Sequence, residues 1–306
     1  MKGVVIKSVG SNFSVRSDEG SLYSCKIKGT FRLKDIEHTN PVAVGDHVLF
    51  DYDANTDSGV ITEIEPRKNY IIRKSNKLSK QTQILAANID KAILIVTPEF
   101  PKTSTGFIDR FIATAEAYHI ETILVFNKSD LFTGEARAWL DEYLEIYQPL
   151  GYVCIETSSV TNAGISLLKD VMKDNVSLLA GHSGTGKSTL INQIQPSLNL
   201  KVGQISGKHL KGMHTTTFAE MFPLDFGGFI IDTPGIRELG TVDFNKTEIS
   251  HYFVEMRDRI HQCKYNNCTH THESGCAVKQ AFEEHKIHPS RYRNYISILE
   301  NEDVFN

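Results

Sequence analysis

The run Gly181-His182-Ser183-Gly184-Thr185-Gly186-Lys187-Ser188 fits G-x-x-x-x-G-K-[ST] and restricts the fold more than any other feature of this 306-residue chain. It follows the apolar stretch Val176 to Ala180, read as a strand, and opens a helix through Thr189, Leu190 and Ile194. Glycines let the backbone wrap a phosphate, so that successive N–H groups and the helix N-terminus face the negative charge. Gly181, His182, Ser183, Gly184, Thr185, Gly186, Lys187, Ser188 and Thr189 are therefore candidate nucleotide-binding residues. Lys187 is placed to reach the β- and γ-phosphates, and the Ser188 hydroxyl to hold Mg²⁺. The bland alternative, a chance Gly-rich turn, lacks a reason for the strand before it and the helix after it.

Such a loop belongs to a parallel sheet, and the preceding residues alternate as one requires. Ala92 to Val96, Thr122 to Phe126 and Val153 to Glu156 read as strands. Phe107, Ile108, Phe111, Ile112 and Ala115 recur at helical spacing, and further helices are expected near Glu135 to Tyr147 and Ile165 to Met172. The fold class is α/β, with crossover helices. Residues 1–72 differ: Val4 to Ile6, Phe13 to Val15, Leu22 to Ile27, His47 to Tyr52 and Val60 to Thr62 are short β-rich runs between turn signals. Five such strands suit a small barrel of the oligonucleotide-binding (OB) type. Arg67, Lys68, Arg73, Lys74, Lys77 and Lys80 follow without an acid among them, as a solvated linker or a phosphate-contacting segment. The expected division is 1–72, 73–240 and 241–306, the last part polar and ending in a helical pattern at Tyr292, Tyr295, Ile296 and Leu299.

Composition narrows the classes. Hydrophobic residues are 40% and charged residues 23%, ordinary for a globular chain with a real core. No apolar run approaches the ~18 residues of a membrane span, and Lys2, Lys7, Ser8 and Ser11 leave no room for a signal-peptide core. A net charge of −4 excludes a globally basic coat for nucleic acid, though not a local basic face. Five cysteines, three of them clustered, fit a reducing cytoplasm rather than a disulfide scaffold. A monomer is expected, since no assembly signal is present.

Asn127-Lys128-Ser129-Asp130 ends the strand Thr122 to Phe126. An aspartate accepts both the N1–H and the exocyclic amine of guanine, a pairing adenine does not offer. Asp130 is the candidate for that role, with the Lys128 stem over the base and Asn127 bracing the loop. Thr157-Ser158-Ser159, after the next strand, supplies either a backbone N–H to the guanine oxygen, with Ser158 the candidate, or a helix N-cap. Asp232-Thr233-Pro234-Gly235 follows the strand Phe229 to Ile231. There Asp232 serves the Mg²⁺ shell and the Gly235 N–H the γ-phosphate. Thr216, among Thr215 to Thr217, is the choice for closing over Mg²⁺. Ile236 stands where many GTPases carry a water-orienting glutamine, so a slow intrinsic rate raised by a partner is expected, with His214 as candidate substitute.

The order of these elements is unusual. Ordinary small GTPases place the phosphate loop first and the guanine motif late; here Asn127 to Asp130 precedes Ser158, which precedes Gly181 to Ser188 and Asp232. The same sheet forms from a circularly permuted chain, and the γ-phosphate segment runs straight into the C-terminal module.

Cys263, Cys268, His270 and Cys276 form C-x₄-C-x-H-x₅-C. Three thiolates and an imidazole make a closed tetrahedral site suited to one structural Zn²⁺, with no open catalytic position. A segment this polar requires the metal to fold. His261 and His272 are taken as non-ligands.

Barrel, permuted GTPase and Cys₃His module in this order resemble the bacterial ribosome small subunit-dependent GTPase A family, also called RsgA or YjeQ. The resemblance covers essentially the whole chain and rests on Asn127 to Asp130, Gly181 to Thr189, His214 to Thr217, Asp232 to Gly235 and Cys263 to Cys276. It implies hydrolysis of GTP to GDP, stimulated by the small (30S) ribosomal subunit late in that subunit's maturation. It also implies contacts to ribosomal RNA near the decoding region from the barrel and zinc module. Lys28, Phe31, Arg32 and Lys34, with Lys208, His209 and Lys211, fit such a surface, and fit a solvated loop equally. Two other readings compete: a nucleic-acid-binding module whose GTPase site only reports nucleotide levels, and a P-loop ATPase or metabolite kinase, which Asp130 disfavours.

Overall fold

Alternation of buried and exposed side chains closes the N-terminal strands on themselves. In the computed structural model, which describes residues 1–28, 41–74, 82–99, 101–199, 219–232 and 244–300, β1 (Lys2–Val9), β2 (Asn12–Ser17), β3 (Leu22–Ile27), β4 (His47–Asp53) and β5 (Ser58–Ile64) form a five-stranded barrel. The strands pair in the order β1-β2-β3-β5-β4, and β4 pairs back onto β1. Val5, Phe13, Val15, Cys25, Val48, Phe50 and Ile61 fill the interior from inward-facing positions of the five strands. Lys28 is exposed at the end of β3, whereas Phe31, Arg32 and Lys34 lie outside the described residues.

The basic stretch after the barrel is not a simple linker. Arg67 donates from Nε to Asp46 Oδ1 at 2.6 Å and from a terminal nitrogen to Asp46 Oδ2 and to the Pro41 carbonyl, both at 2.7 Å. Asp46 is fully buried and also accepts the Ala43 N–H. Lys68 pairs with Asp90. Both cations are therefore committed within the protein, and β6 (Tyr70–Lys74) and β7 (Thr82–Ala87) make an antiparallel hairpin where a solvated segment was one expectation. The hairpin seats on the barrel through the Val44–Ala86 bridge. Gly45 is required there: its φ is +90°, and a Cβ would stand 2.1 Å from the Ala87 carbonyl oxygen.

The second sheet holds β8 (Lys91–Val96), β9 (Glu121–Asn127), β10 (Val153–Thr157), β11 (Val176–Ala180), β12 (Glu220–Pro223) and β13 (Phe229–Asp232). Their order is β10-β9-β8-β11-β13-β12, parallel except for the antiparallel edge strand β12. Almost every residue of β8 and β9 is buried, because helices cover both faces. α1 (Thr105–Ala117) and α2 (Glu135–Tyr147) supply Ile108, Phe111, Leu140 and Ile146 to one face. α3 (Ile165–Met172) and α4 (Lys187–Ile194) supply Leu168, Met172, Leu190 and Ile194 to the other. On its free side β12 pairs with β1 of the barrel, at Lys7 opposite Glu220, where a 2.9 Å ion pair crosses the junction.

The C-terminal part carries α5 (Val254–Arg257), α6 (Ala277–Glu283) and α7 (Pro289–Leu299). Phe253, Met256, Val278, Ile287, Tyr295 and Ile298 form its core, which Ala113 of α1 enters. A buried ionic network fixes this part to α1. Arg291, 1% exposed, meets Asp109 at 2.7 Å and grips Glu255 with two nitrogens at 2.7 and 3.0 Å. Asp109 also accepts from Asn294 Nδ2 at 2.6 Å and the Tyr147 hydroxyl at 2.8 Å. Removing the cation strands two buried carboxylates. Arg291→Met should therefore lower the stability of the C-terminal part by about 3–5 kcal/mol in urea unfolding, and an unchanged midpoint would refute an anchoring role.

Candidate nucleotide site and metal centre

Phosphate-loop and guanine-motif residues meet at the C-terminal ends of the parallel strands, beside the central strand β11, where ligands of open α/β sheets bind. The Asn127 amide, 2% exposed, joins them: Nδ2 donates to the Thr185 carbonyl at 2.8 Å, and Oδ1 accepts from Thr157 Oγ1 at 3.0 Å. Gly186 lies so close that a Cβ would fall 2.5 Å from Asn127 Nδ2, and its φ of +91° suits glycine. The loop is also internally braced. Thr185, fully buried, donates from Oγ1 to the His182 carbonyl at 3.0 Å. The Lys187 ammonium donates to the carbonyls of Gly181, at 2.6 Å, and His182. Lys187 and Ser188 are buried at the start of α4, whereas Ser183, Gly184 and Thr189 are exposed.

On the guanine side, Lys128 takes the left-handed conformation, φ +66°, and starts a single 3₁₀ turn, Ser129–Leu131. Its Cε lies 4.0 Å from the place of a Gly186 Cβ, so the stem runs along the phosphate loop. Ser158 Oγ donates to Asp130 Oδ1 at 2.5 Å and accepts the N–H groups of Val160 and Thr161, each at 3.1 Å. The Ser158 N–H is itself spent on the Ala163 carbonyl at 3.0 Å. Ser158 therefore holds Asp130 and shapes the loop instead of offering its backbone donor. It is not a helix cap either, since Gly164 stands before α3. Ser159 is the residue that spacing did not single out: its N–H makes no hydrogen bond among the described residues, and its Oγ is buried without a partner. Only the bonds made by its neighbours reveal it.

Asp232 ends β13, but its side chain, with Thr216, His214, Gly235, Lys208, His209 and Lys211, lies outside the described residues.

In the C-terminal part, ligand atoms of Cys263, Cys268, His270 and Cys276 lie within 4.8 Å of one another. His270 Nδ1 is 3.6 Å from Cys263 Sγ and 3.3 Å from Cys276 Sγ. These spacings approximate the ~3.3–3.8 Å edges of a tetrahedron with bonds of about 2.0–2.3 Å, so the donor set fits a zinc ion. Burial pushes the Cys268 thiol up to about 12, raises Cys276 and lowers His270, a surrounding in which thiolates need a cation. Outer partners orient the ligands: Tyr292 and Tyr295 hydroxyls donate to the His270 and Thr269 carbonyls at 2.6 and 2.7 Å. Burial alone would raise the Glu273 carboxyl, but bonds from Thr269 Oγ1 and from the Thr269 and Thr271 N–H groups hold it well below its usual range. His261 and His272 stand apart from the cluster, beside Gln262 and Thr271 respectively.

Comparison with known proteins agrees over nearly the full length. The sequence model of the RsgA GTPase matches residues 64–242, and that of the RsgA N-terminal domain residues 2–61. The small ribosomal subunit biogenesis GTPase RsgA of Phocaeicola vulgatus is 52% identical over 303 residues, covering 99% of this chain and 97% of that protein. The Flavobacterium psychrophilum protein of that name is 53% identical over 308 residues, covering 99% and 94%. Among solved structures, YjeQ from Thermotoga maritima superposes with a TM-score of 0.81 at 37% identity, over 98% of this chain and 97% of that one. YloQ, described as a circularly permuted GTPase, gives 0.76 at 28% identity, over 98% and 94%. With a permuted sheet order, a barrel before it and a Cys₃His cluster after it, this chain belongs to the RsgA GTPase family.

Proposed function

We propose that this protein hydrolyses GTP as an assembly factor of the small ribosomal subunit, the subunit accelerating the reaction and hydrolysis timing the factor's departure. The observation that carries the reading is the shared pocket, in which one buried amide, Asn127, ties the Asp130 loop to the loop bearing Lys187. Small ribosomal subunit biogenesis is the role in the names of the 52–53% identical relatives.

In this pocket the Asp130 carboxylate receives the guanine N1–H and amine, held in place by Ser158 Oγ. The Ser159 N–H, free of other partners, donates to the guanine oxygen. Backbone N–H groups of Gly181 to Thr189 cradle the phosphates at the start of α4, and the Lys187 ammonium transfers from loop carbonyls to the β- and γ-phosphates. Ser188, Asp232 and Thr216 would hold Mg²⁺, which would supply neutralisation of phosphate charge. Gly235 reports the γ-phosphate, and His214 helps order the water that Ile236 leaves unaided. Cys263, Cys268, His270 and Cys276 hold one structural Zn²⁺. The working units are 1–72, 73–240 and 241–306, with strand β6 crossing the first boundary into its hairpin with β7, and the barrel and zinc module contact ribosomal RNA. No helix among the described residues is long and apolar enough to cross a membrane. We take the factor to be a cytoplasmic monomer.

Phosphate release from GTP should rise on adding small subunits but not large subunits or duplex DNA; equal stimulation by all three would refute the assignment. Asp130→Asn should exchange guanosine for xanthosine preference, because the amide now donates where the carboxylate accepted; unchanged GTP preference would remove Asp130 from the base site. Purified protein should carry one zinc per chain, lost in Cys268→Ala together with the C-terminal unfolding transition, and a metal-free wild type would exclude the zinc reading.

A further inference from the structure

The phosphate loop is held from two sides, and only one of them carries a nucleotide motif. Asn127 secures Thr185 and Gly186. At the other end the His182 ring lies against Phe107 of α1, with ring centroids 3.9 Å apart and planes inclined by 33°. We propose that Phe107 is a positioning residue for nucleotide binding, acting through the His182 ring; the proposal rests on reading 181–189 as the phosphate cradle.

His182 is the residue through which a ring contact can set the loop. Its carbonyl accepts Thr185 Oγ1 at 3.0 Å, the Thr185 N–H at 3.4 Å and the Lys187 ammonium. Side chain and carbonyl share one backbone unit, so clamping the ring fixes the direction of the carbonyl, and with it Thr185 and Lys187. A free His182 would let that peptide rotate, misaligning the N–H groups meant for phosphate and removing one of the two carbonyls that hold Lys187 before nucleotide binds.

The clamp is useful only if α1 does not yield, and the structure gives α1 two restraints. Ser104 Oγ caps its first turn by accepting the Phe107 N–H at 3.3 Å. One residue beyond Ile108, Asp109 is gripped by Arg291, Asn294 and Tyr147. Phe107 is thus referenced, through Asp109, to the C-terminal part and to α2. His182 and Trp139, the only tryptophan, also line one cleft of about 520 Å³ with Lys102 and Tyr143, and the Lys102 ammonium sits 3.7 Å from the Trp139 ring centre.

The stack acts on the loop that holds phosphates common to GTP and GDP, so its loss weakens both nucleotides alike and raises KM more than it lowers kcat. An aromatic pair of this kind supports a change of roughly 3–10-fold. Calorimetry and hydrolysis kinetics on the full chain test it with Phe107→Leu, which keeps bulk and removes the ring, Phe107→Tyr, which keeps the ring, and His182→Ala. Phe107→Leu and His182→Ala should each weaken GTP and GDP by that factor. The double variant should be no weaker than either single one, and Phe107→Tyr should stay within about twofold of wild type. Wild-type affinity in Phe107→Leu, losses that multiply in the double variant, or an effect on GTP alone would overturn the proposal. If Phe107→Leu does not fold, His182→Ala decides: undiminished affinity for GDP overturns it. Failure of the wild type to bind guanine nucleotides would instead reject the phosphate-cradle reading itself.

Discussion

One primary amide does more than any other group to make a pocket out of separate loops. Asn127 sits at the end of β9, donates to Thr185 in the loop after β11 and accepts from Thr157 at the end of β10. A buried amide must satisfy both ends, and here each end finds a different strand's partner. The distance between the groups that read a base and the groups that hold phosphates is thereby set by hydrogen-bond lengths instead of by loop flexibility. Gly186 allows this, since any side chain there would displace the amide.

Permutation leaves that junction intact because it depends on spatial order, not on chain order. β11 still lies between β8 and β13, and crossover helices still cover both faces. What changes is what the ends of the chain are attached to. The barrel strand β1 pairs with β12, which follows residue 218, and the C-terminal part begins shortly after β13. Both flanking parts thus border the segments expected to feel the γ-phosphate. The C-terminal part is held a second time by Arg291 on α1, so its placement does not depend on that short connection alone.

Much of this was legible in the sequence, for physical reasons. Ala92 to Val96 and Thr122 to Phe126 are continuous apolar runs because their strands are covered on both faces. The Cys₃His spacing announces itself because a tetrahedral site needs four donors in a short wrap. What escaped were pairings that residue spacing does not announce. In sequence Arg67 reads as one cation of a solvated or phosphate-contacting run, and only the fold brings Asp46 to it across 21 residues. Ser158 and Ser159 are indistinguishable as letters; the Ala163 carbonyl, which consumes one N–H and not the other, separates them. The Phe107–His182 stack joins a helix position that reads as ordinary core to a variable position of the phosphate motif.

The pocket that Asn127 assembles is tested most directly by competitive calorimetry of GDP against ADP, on the wild type and on Asn127→Ala. A site that pairs Asp130 and Ser159 with guanine should favour GDP by roughly 10⁴-fold, because a bound adenine would cover those groups and leave them unpaired. Asn127→Ala should lose both affinity and most of that preference. Equal affinities for the two nucleotides in the wild type, or full discrimination retained without the Asn127 amide, would contradict the account.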